Sequence, residues 1–207
     1  MSIRESFCPL CGEPSAGGLC GRCRAGRTRW MEAAPRVEAV TCPACGSRKT
    51  GAVWQDTPVS REQLAGELAL QAVRLAPEAG DAEFRVTTRV RSPNRTEVAV
   101  RVKANLFGVP VEDEARVEIA WRGETCDRCS RISGGYFEGV VQVRAEGRPL
   151  SPREMEGAAR IACEAEERLQ AGGSRLSFIS RMTDEEGLDI VVGQNAMGEE
   201  IAREITG

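Results

Sequence analysis

Cys8-Pro9-Leu10-Cys11-Gly12 and Cys42-Pro43-Ala44-Cys45-Gly46 are one five-residue turn written twice. Proline presets φ at the start of such a turn, and glycine permits a positive φ beside the second sulfur. Two residues between cysteines let the turn aim both sulfurs at one ion. Two further pairs, Cys20-x-x-Cys23 and Cys126-x-x-Cys129, complete a set of eight cysteines and leave Cys163 over. Four CxxC pairs read as metal ligands where thiols stay reduced. The opening MSIRESFCPLCG lacks the apolar stretch of a secretory signal, and no apolar run approaches the roughly 18 residues of a membrane helix. The expected compartment is therefore the cytoplasm, with no membrane partner.

The simplest assignment gives one Zn2+ to Cys8, Cys11, Cys20 and Cys23, and a second Zn2+ to Cys42, Cys45, Cys126 and Cys129. Four thiolates close the tetrahedron and leave no open position, which predicts structural rather than catalytic sites. The halves of the second site are 80 residues apart. A folded insertion must bring them together, at a closure cost that grows only logarithmically with length. Two other readings stay open. A cross-braced pairing would join the first pair with the third and the second with the fourth. It is disfavoured by the length of the last gap and by the absence of histidine. Iron could replace zinc, since the turn also resembles that of rubredoxin; ferric iron would colour the protein red.

Composition narrows the chemistry. The chain has 207 residues, 41% of them hydrophobic and 29% charged, enough for one compact domain or two small ones. With no histidine, imidazole ligands and histidine acid–base chemistry are excluded. No carboxylate cluster converges on a nameable pocket, so no enzyme and no small-molecule substrate are expected. Cys163 lies in a helical run beside Ala159 and Ala162 and is expected to be a small buried hydrophobe.

Of the 28 basic residues all but Lys49 and Lys103 are arginine, the better fork for phosphates. Residues 1–50 carry eight basic and four acidic groups, whereas residues 151–207 carry six and twelve. A modest net charge of −3 thus conceals local patches, and patches decide nucleic-acid binding. Around the turns stand Arg22, Arg24, Arg27, Arg29, Trp30, Arg36, Arg48 and Lys49. Arginine can clamp phosphates, and the indole can stack on an unpaired base. A second candidate RNA-binding face gathers Arg85, Arg89, Arg91, Arg101 and Lys103 on a hairpin, where mutual repulsion asks for an anion. Each patch could equally be a solvated charged face.

Patterning predicts an α+β fold: a four-cysteine zinc-ribbon head over 1–50, and a body over 51–207 of antiparallel sheet and helices clamped by the second zinc. Ser60 and Gln63 form a capping-box pattern before a helix over 59–76 with Leu64, Leu68, Ala72 and Leu75 on one stripe. Phe84, Val86, Thr88 and Val90 alternate with arginines. Val98, Val100, Val102 and Ala104 then alternate in a second strand, and Ala115, Val117, Ile119 and Trp121 in a third. A fourth strand is expected over 136–144. Ser151-Pro152-Arg153-Glu154 opens a helix that buries Ala158, Ile161, Ala162, Ala165 and Leu169. A hairpin near 175–182 and 187–193 leads to a last helix with Met197, Ile201 and Ile205 aligned. Beyond the shared CxxC turn, no repeats and no low-complexity segment are visible.

The stretch Cys126-Asp-Arg128-Cys129-Ser-Arg131-Ile-Ser-Gly134-Gly135-Tyr136-Phe137-Glu138, continuing to Gln142-Val-Arg144, is more than a metal turn. With the CxxC pairs before it and Gly187-Leu188-Asp189 after it, it resembles the 60S ribosomal export adaptor family, the nonsense-mediated-decay-three family. The resemblance covers nearly the whole chain and looks like a short, archaeal-type homologue. Neither the family's translation-factor-like domain nor its leucine-rich export tail is expected here, so a nuclear-export role is not expected. What the resemblance implies is a non-enzymatic factor that binds the large ribosomal subunit and its rRNA at the intersubunit face, late in maturation, beside the anti-association factor. Arg128 and Arg131, flanking the diglycine, join the candidate RNA contacts. The alternative is a zinc-ribbon adaptor that binds proteins in transcription or degradation.

Overall fold

The computed structural model describes residues 6–207, and its contacts group the chain into two compact units. The first holds residues up to 41 together with 48–123; the second holds 42–47 together with 124–207. The expected division at residue 50 is corrected by this grouping. Residues 36–41 form a strand that pairs with residues 118–123, and residues 48–50 pair with it in turn, so two strands of the expected head are part of the body's main sheet.

In the first unit, β1 (Ser6–Phe7) and β2 (Pro14–Ser15) pair around the first CxxC turn, and α1 (Gly21–Ala25) follows. β3 (Met31–Ala33), β4 (Arg36–Thr41), β5 (Arg48–Thr50) and β6 (Val53–Gln55) precede α2 (Arg61–Ala72). β7 (Val73–Leu75) pairs with β3, so the helix stops three residues before the predicted Leu75. The β-branched Val73 opens that strand in extended conformation. The Ser60–Gln63 capping box is formed in both directions.

Three long strands follow: β8 (Ala79–Ser92), β9 (Arg95–Leu106) and β10 (Val109–Gly123). The main sheet runs β6-β5-β4-β10-β9-β8 and is antiparallel except where β10 lies parallel to β4. The alternation read from sequence is realised in β9 and β10. Val98, Val100, Val102, Val117 and Ile119 are fully buried beneath Leu64 and Leu68 of α2. Each such side chain contributes roughly 1.5–3 kcal/mol of burial. Trp121 is buried with them, its indole N–H donating to the Thr96 hydroxyl at 2.9 Å. Outer strand β8 keeps the alternation with less burial: Val86 lies against Gly66 of α2, yet Phe84, Val86 and Val90 all stay exposed.

In the second unit, α3 (Asp127–Ser133) leads through the diglycine to β11 (Gly139–Val143). α4 (Pro152–Ala171), β12 (Ile179–Thr183), β13 (Leu188–Val192) and α5 (Asn195–Thr206) complete it. The antiparallel sheet is ordered β11-β13-β12. α4 and α5 cover one face, burying Ala158, Ala162 and Ala165 against Ile190, Met197 and Ile201. Ser151 and Glu154 form the predicted capping box. Arg148 grips the Glu154 carboxylate and, with Ser151, holds its pKa well below the usual range.

Cys163 is corrected outright: it is exposed. It follows Ala162 by one residue, about 100° around the helix, and so leaves the buried stripe. Thiol titration of the metal-loaded protein should label one cysteine quickly, at position 163, and all nine after chelation and unfolding. Fast labelling of several sulfurs before chelation would contradict the quartets described below.

Candidate metal centres

Both quartets of the simplest assignment assemble. The sulfurs of Cys8, Cys11, Cys20 and Cys23 lie within 4.8 Å of one another, as do those of Cys42, Cys45, Cys126 and Cys129. Cys11 and Cys20 sulfurs are 3.4 Å apart, and Cys45 and Cys126 sulfurs 3.6 Å. Four ligands about 2.3 Å from one Zn2+ would stand roughly 3.8 Å apart, so the sulfurs are pre-set for such an ion.

The two centres follow one backbone plan. Cys8 N–H donates to Glu13 and Gly12 N–H returns to Cys8; Cys42 N–H donates to Ser47 and Gly46 N–H returns to Cys42. Gly12 and Gly46 take φ of 75° and 76°, a conformation costly for residues with a side chain. Strand pairs stand on either side at equivalent positions, Phe7 with Pro14 and Thr41 with Arg48. The second pair of each quartet begins a short helix: Cys20 caps α1 and Cys126 caps α3. Burial repeats as well, the turn's first cysteine being buried and its second exposed in both centres. Composition gave no hint of those helices, since helices of five and seven residues carry too little period to read.

Electrostatics show what the sulfurs need. Backbone N–H groups, that of Cys20 foremost, lower the Cys8 thiol to about 6. Burial works against Cys42, but the N–H groups of Cys126, Cys45 and Ala44 outweigh it and bring that thiol to about 6. Crowding by the Cys11 and Cys20 sulfurs pushes Cys23 up to about 12. Burial first, then the three neighbouring sulfurs, drive Cys129 upward too. Each site therefore favours the first thiolate and resists the last. A central cation removes that resistance, which is the fit expected of a tetrathiolate metal centre.

Residues outside the cysteines hold the geometry. At the first centre, Gly21 faces the β9–β10 turn, where Phe107 and Gly108 both have positive φ. A Cβ at position 21 would sit 2.6 Å from the Phe107 carbonyl oxygen. Arg24 stacks on the Phe107 ring at 3.8 Å, so this turn seats α1 and its cysteines. Gly21→Ala should cost about 1–3 kcal/mol and speed release of one of the two metals to a chromogenic chelator. Unchanged release kinetics would mean that the turn does not position α1.

At the second centre, sequence reading missed Ser47 and Arg175. The Ser47 hydroxyl lies 2.9 Å from Cys45 sulfur, and the Arg175 guanidinium donates to that hydroxyl at 3.2 Å. This brings a cation toward thiolate charge from a residue 128 positions away, which no local motif reveals.

The candidate RNA contacts are dispersed. Arg22, Arg24, Arg27 and Arg29 are exposed around α1, with Arg22 3.8 Å from Glu13 and Arg29 3.2 Å from Glu32. Arg36 pairs with Glu38 and Glu118. Trp30 is buried in the core and offers no face to a base, a correction to its expected stacking role. Arg48 is half-buried in β5, and Lys49 lies over Trp54. Arg128 is engaged by Glu166 and Gln170 of α4, and Arg131 by Glu138 and the Tyr136 ring.

On the hairpin, β10 places Glu112 and Glu114 beside Lys103 and Arg101, while Arg91 pairs with Glu97. The repulsion expected there is largely answered by the protein's own carboxylates. Arg85 and Arg89 remain exposed, with no ion pair among the described residues.

Two four-cysteine groups of one plan in an α+β framework define a protein with two places that could each hold a metal ion by thiolates alone. Residues 8–134 match the family model described as NMD3, N-terminal domain, and residues 136–207 the one described as NMD3, second domain. The chain belongs to the NMD3 family. Both quartets fall inside the first match, and the change from one match to the other falls at the diglycine. No curated protein gives a significant match.

Proposed function

We propose that this chain is a non-enzymatic, zinc-stabilised factor that binds the large ribosomal subunit through rRNA at its intersubunit face, late in subunit maturation. The observation that carries the reading is family membership over residues 8–207, with both quartets intact. Each quartet holds Zn2+, and the ions fix the loops that carry the basic groups. The working compartment is the cytoplasm, with the anti-association factor as a neighbour on the same subunit. The reading is also supported by where perturbed groups lie. Apart from the cysteines, the largest shift belongs to Glu154, engaged in a helix cap rather than in a cleft. No helix of the described residues is long and apolar enough to cross a membrane.

The test is cosedimentation with isolated ribosomal subunits at low and high salt. The chain should migrate with the large subunit alone and be released as salt rises. Arg22→Glu with Arg27→Glu should weaken binding and reduce the salt slope by roughly one unit for each phosphate no longer engaged. Arg24 is left in place because it packs on Phe107. Migration with neither subunit, from fully metallated protein, would overturn the reading and favour a protein adaptor.

A further inference from the structure

β8 is an unusual outer strand. It has 14 residues, whereas β6 at the opposite edge of the sheet has three. Among the described residues its only strand partner is β9, so alternate backbone N–H and C=O groups point away from the sheet. The pairing with β9 shifts register between Gly80 and Glu83 and again between Val90 and Ser92. Between these irregularities, Glu83 to Val90 form an uninterrupted, regular edge.

That edge is two-faced. On the side of α2, Phe84, Val86 and Val90 are 45%, 37% and 60% exposed. They stand opposite Val102, Val100 and Thr96, which are buried, so the apolar layer continues from β9 onto β8, where Val86 meets Gly66 of α2 and still keeps an open side. On the other side Arg85 and Arg89 carry no ion pair among the described residues, and Glu83 lies opposite Lys103. Arg85 is next to Arg101, which Glu112 and Glu114 already engage, and Arg89 is opposite Glu97, which Arg91 engages, so carboxylates on a further strand would give these two arginines ion pairs of their own.

We propose that β8 is a docking edge for an extended segment of another protein in which apolar residues alternate with acidic ones. Three features fit together only for that occupant: free backbone groups, an apolar row, and two cations spaced by four residues. A second copy is disfavoured by charge. Antiparallel self-pairing about Thr87 would set Arg85 against Arg89 on both sides of the centre. A phosphate backbone would meet the arginines but leave the apolar row and the strand's free N–H groups unused. The inference goes beyond ribosome binding, and its test requires no ribosome.

The probe is the peptide Val-Glu-Val-Thr-Val-Glu-Val-Lys flanked by Gly-Ser. Run antiparallel to β8, it places Glu opposite Arg89 and Arg85, and Lys opposite Glu83. Added to the metal-loaded chain, it should slow amide hydrogen exchange within residues 83–90 and bind saturably. The charge-swapped peptide, with Lys for Glu and Glu for Lys, should bind about tenfold more weakly, two cross-strand attractions having become repulsions. Arg85→Glu with Arg89→Glu should invert that preference. The two peptides against the unaltered protein already decide the matter if the variant folds poorly. The proposal fails if neither peptide protects β8, if both bind alike, if an oligouridylate protects β8 while the peptides do not, or if β8 is protected by dimerisation of the chain alone.

Discussion

Cys42→Ser is expected to leave one metal ion per chain where the unaltered protein binds two, and to unfold the unit built on residues 42–47 and 124–207. Serine keeps the shape but supplies no thiolate, so the second quartet falls to three ligands. Cys42 is the thiol that backbone N–H groups hold lowest at that centre, and it also accepts the Cys126 N–H at 3.4 Å. Structural zinc in small modules contributes about 10–16 kcal/mol. A whole domain is stable by only about 5–15 kcal/mol, so even part of that contribution exceeds the margin. The measurement is elemental analysis together with hydrogen exchange. Protection should fall across residues 124–207, while Val98, Val100 and Ile119, fully buried beneath α2, keep theirs. Cys163→Ser is the control and should keep two ions. Retention of two ions by Cys42→Ser would mean that the quartets are wrongly composed.

Much of this was legible because the signals were local. The CxxC spacing picked out all eight cysteines that gather into the two groups, and the two turns that share Pro and Gly separated the quartets. The alternation in Val98 to Ala104 and in Ala115 to Trp121 gave two central strands, and Ser60 and Ser151 gave two helix starts. What escaped the sequence depended on pairing across distance. The parallel match of β4 with β10 moved residues 36–41 out of the expected head, and nothing within those six residues says which strand they will meet. The same register set Glu112 and Glu114 beside Arg101 and Lys103, turning an expected basic face into a mixed one. Trp30 read as an exposed stacking platform because it stands among arginines, yet the same indole is core. Cys163 shows the opposite error: apolar neighbours in sequence are not neighbours on a helix face.

Phe178 was invisible for the same reason, and it sets the second large effect. It is fully buried, and its carbonyl accepts the Gly193 N–H at 2.9 Å. A Cβ at position 193 would lie 2.5 Å from the Phe178 ring, so the glycine is there to let the ring lie against the backbone. Phe178→Ala should cost about 3–5 kcal/mol through the cavity it leaves. Gly193→Ala should cost about 1–3 kcal/mol through overlap with the ring. The two should not add. Once the ring is gone the methyl has nothing to strike and fills part of the void, so the double variant should be no less stable than Phe178→Ala alone. Chemical denaturation of the four proteins, with metal saturated throughout, gives the coupling energy directly. Strict additivity would show that the ring and the glycine are independent.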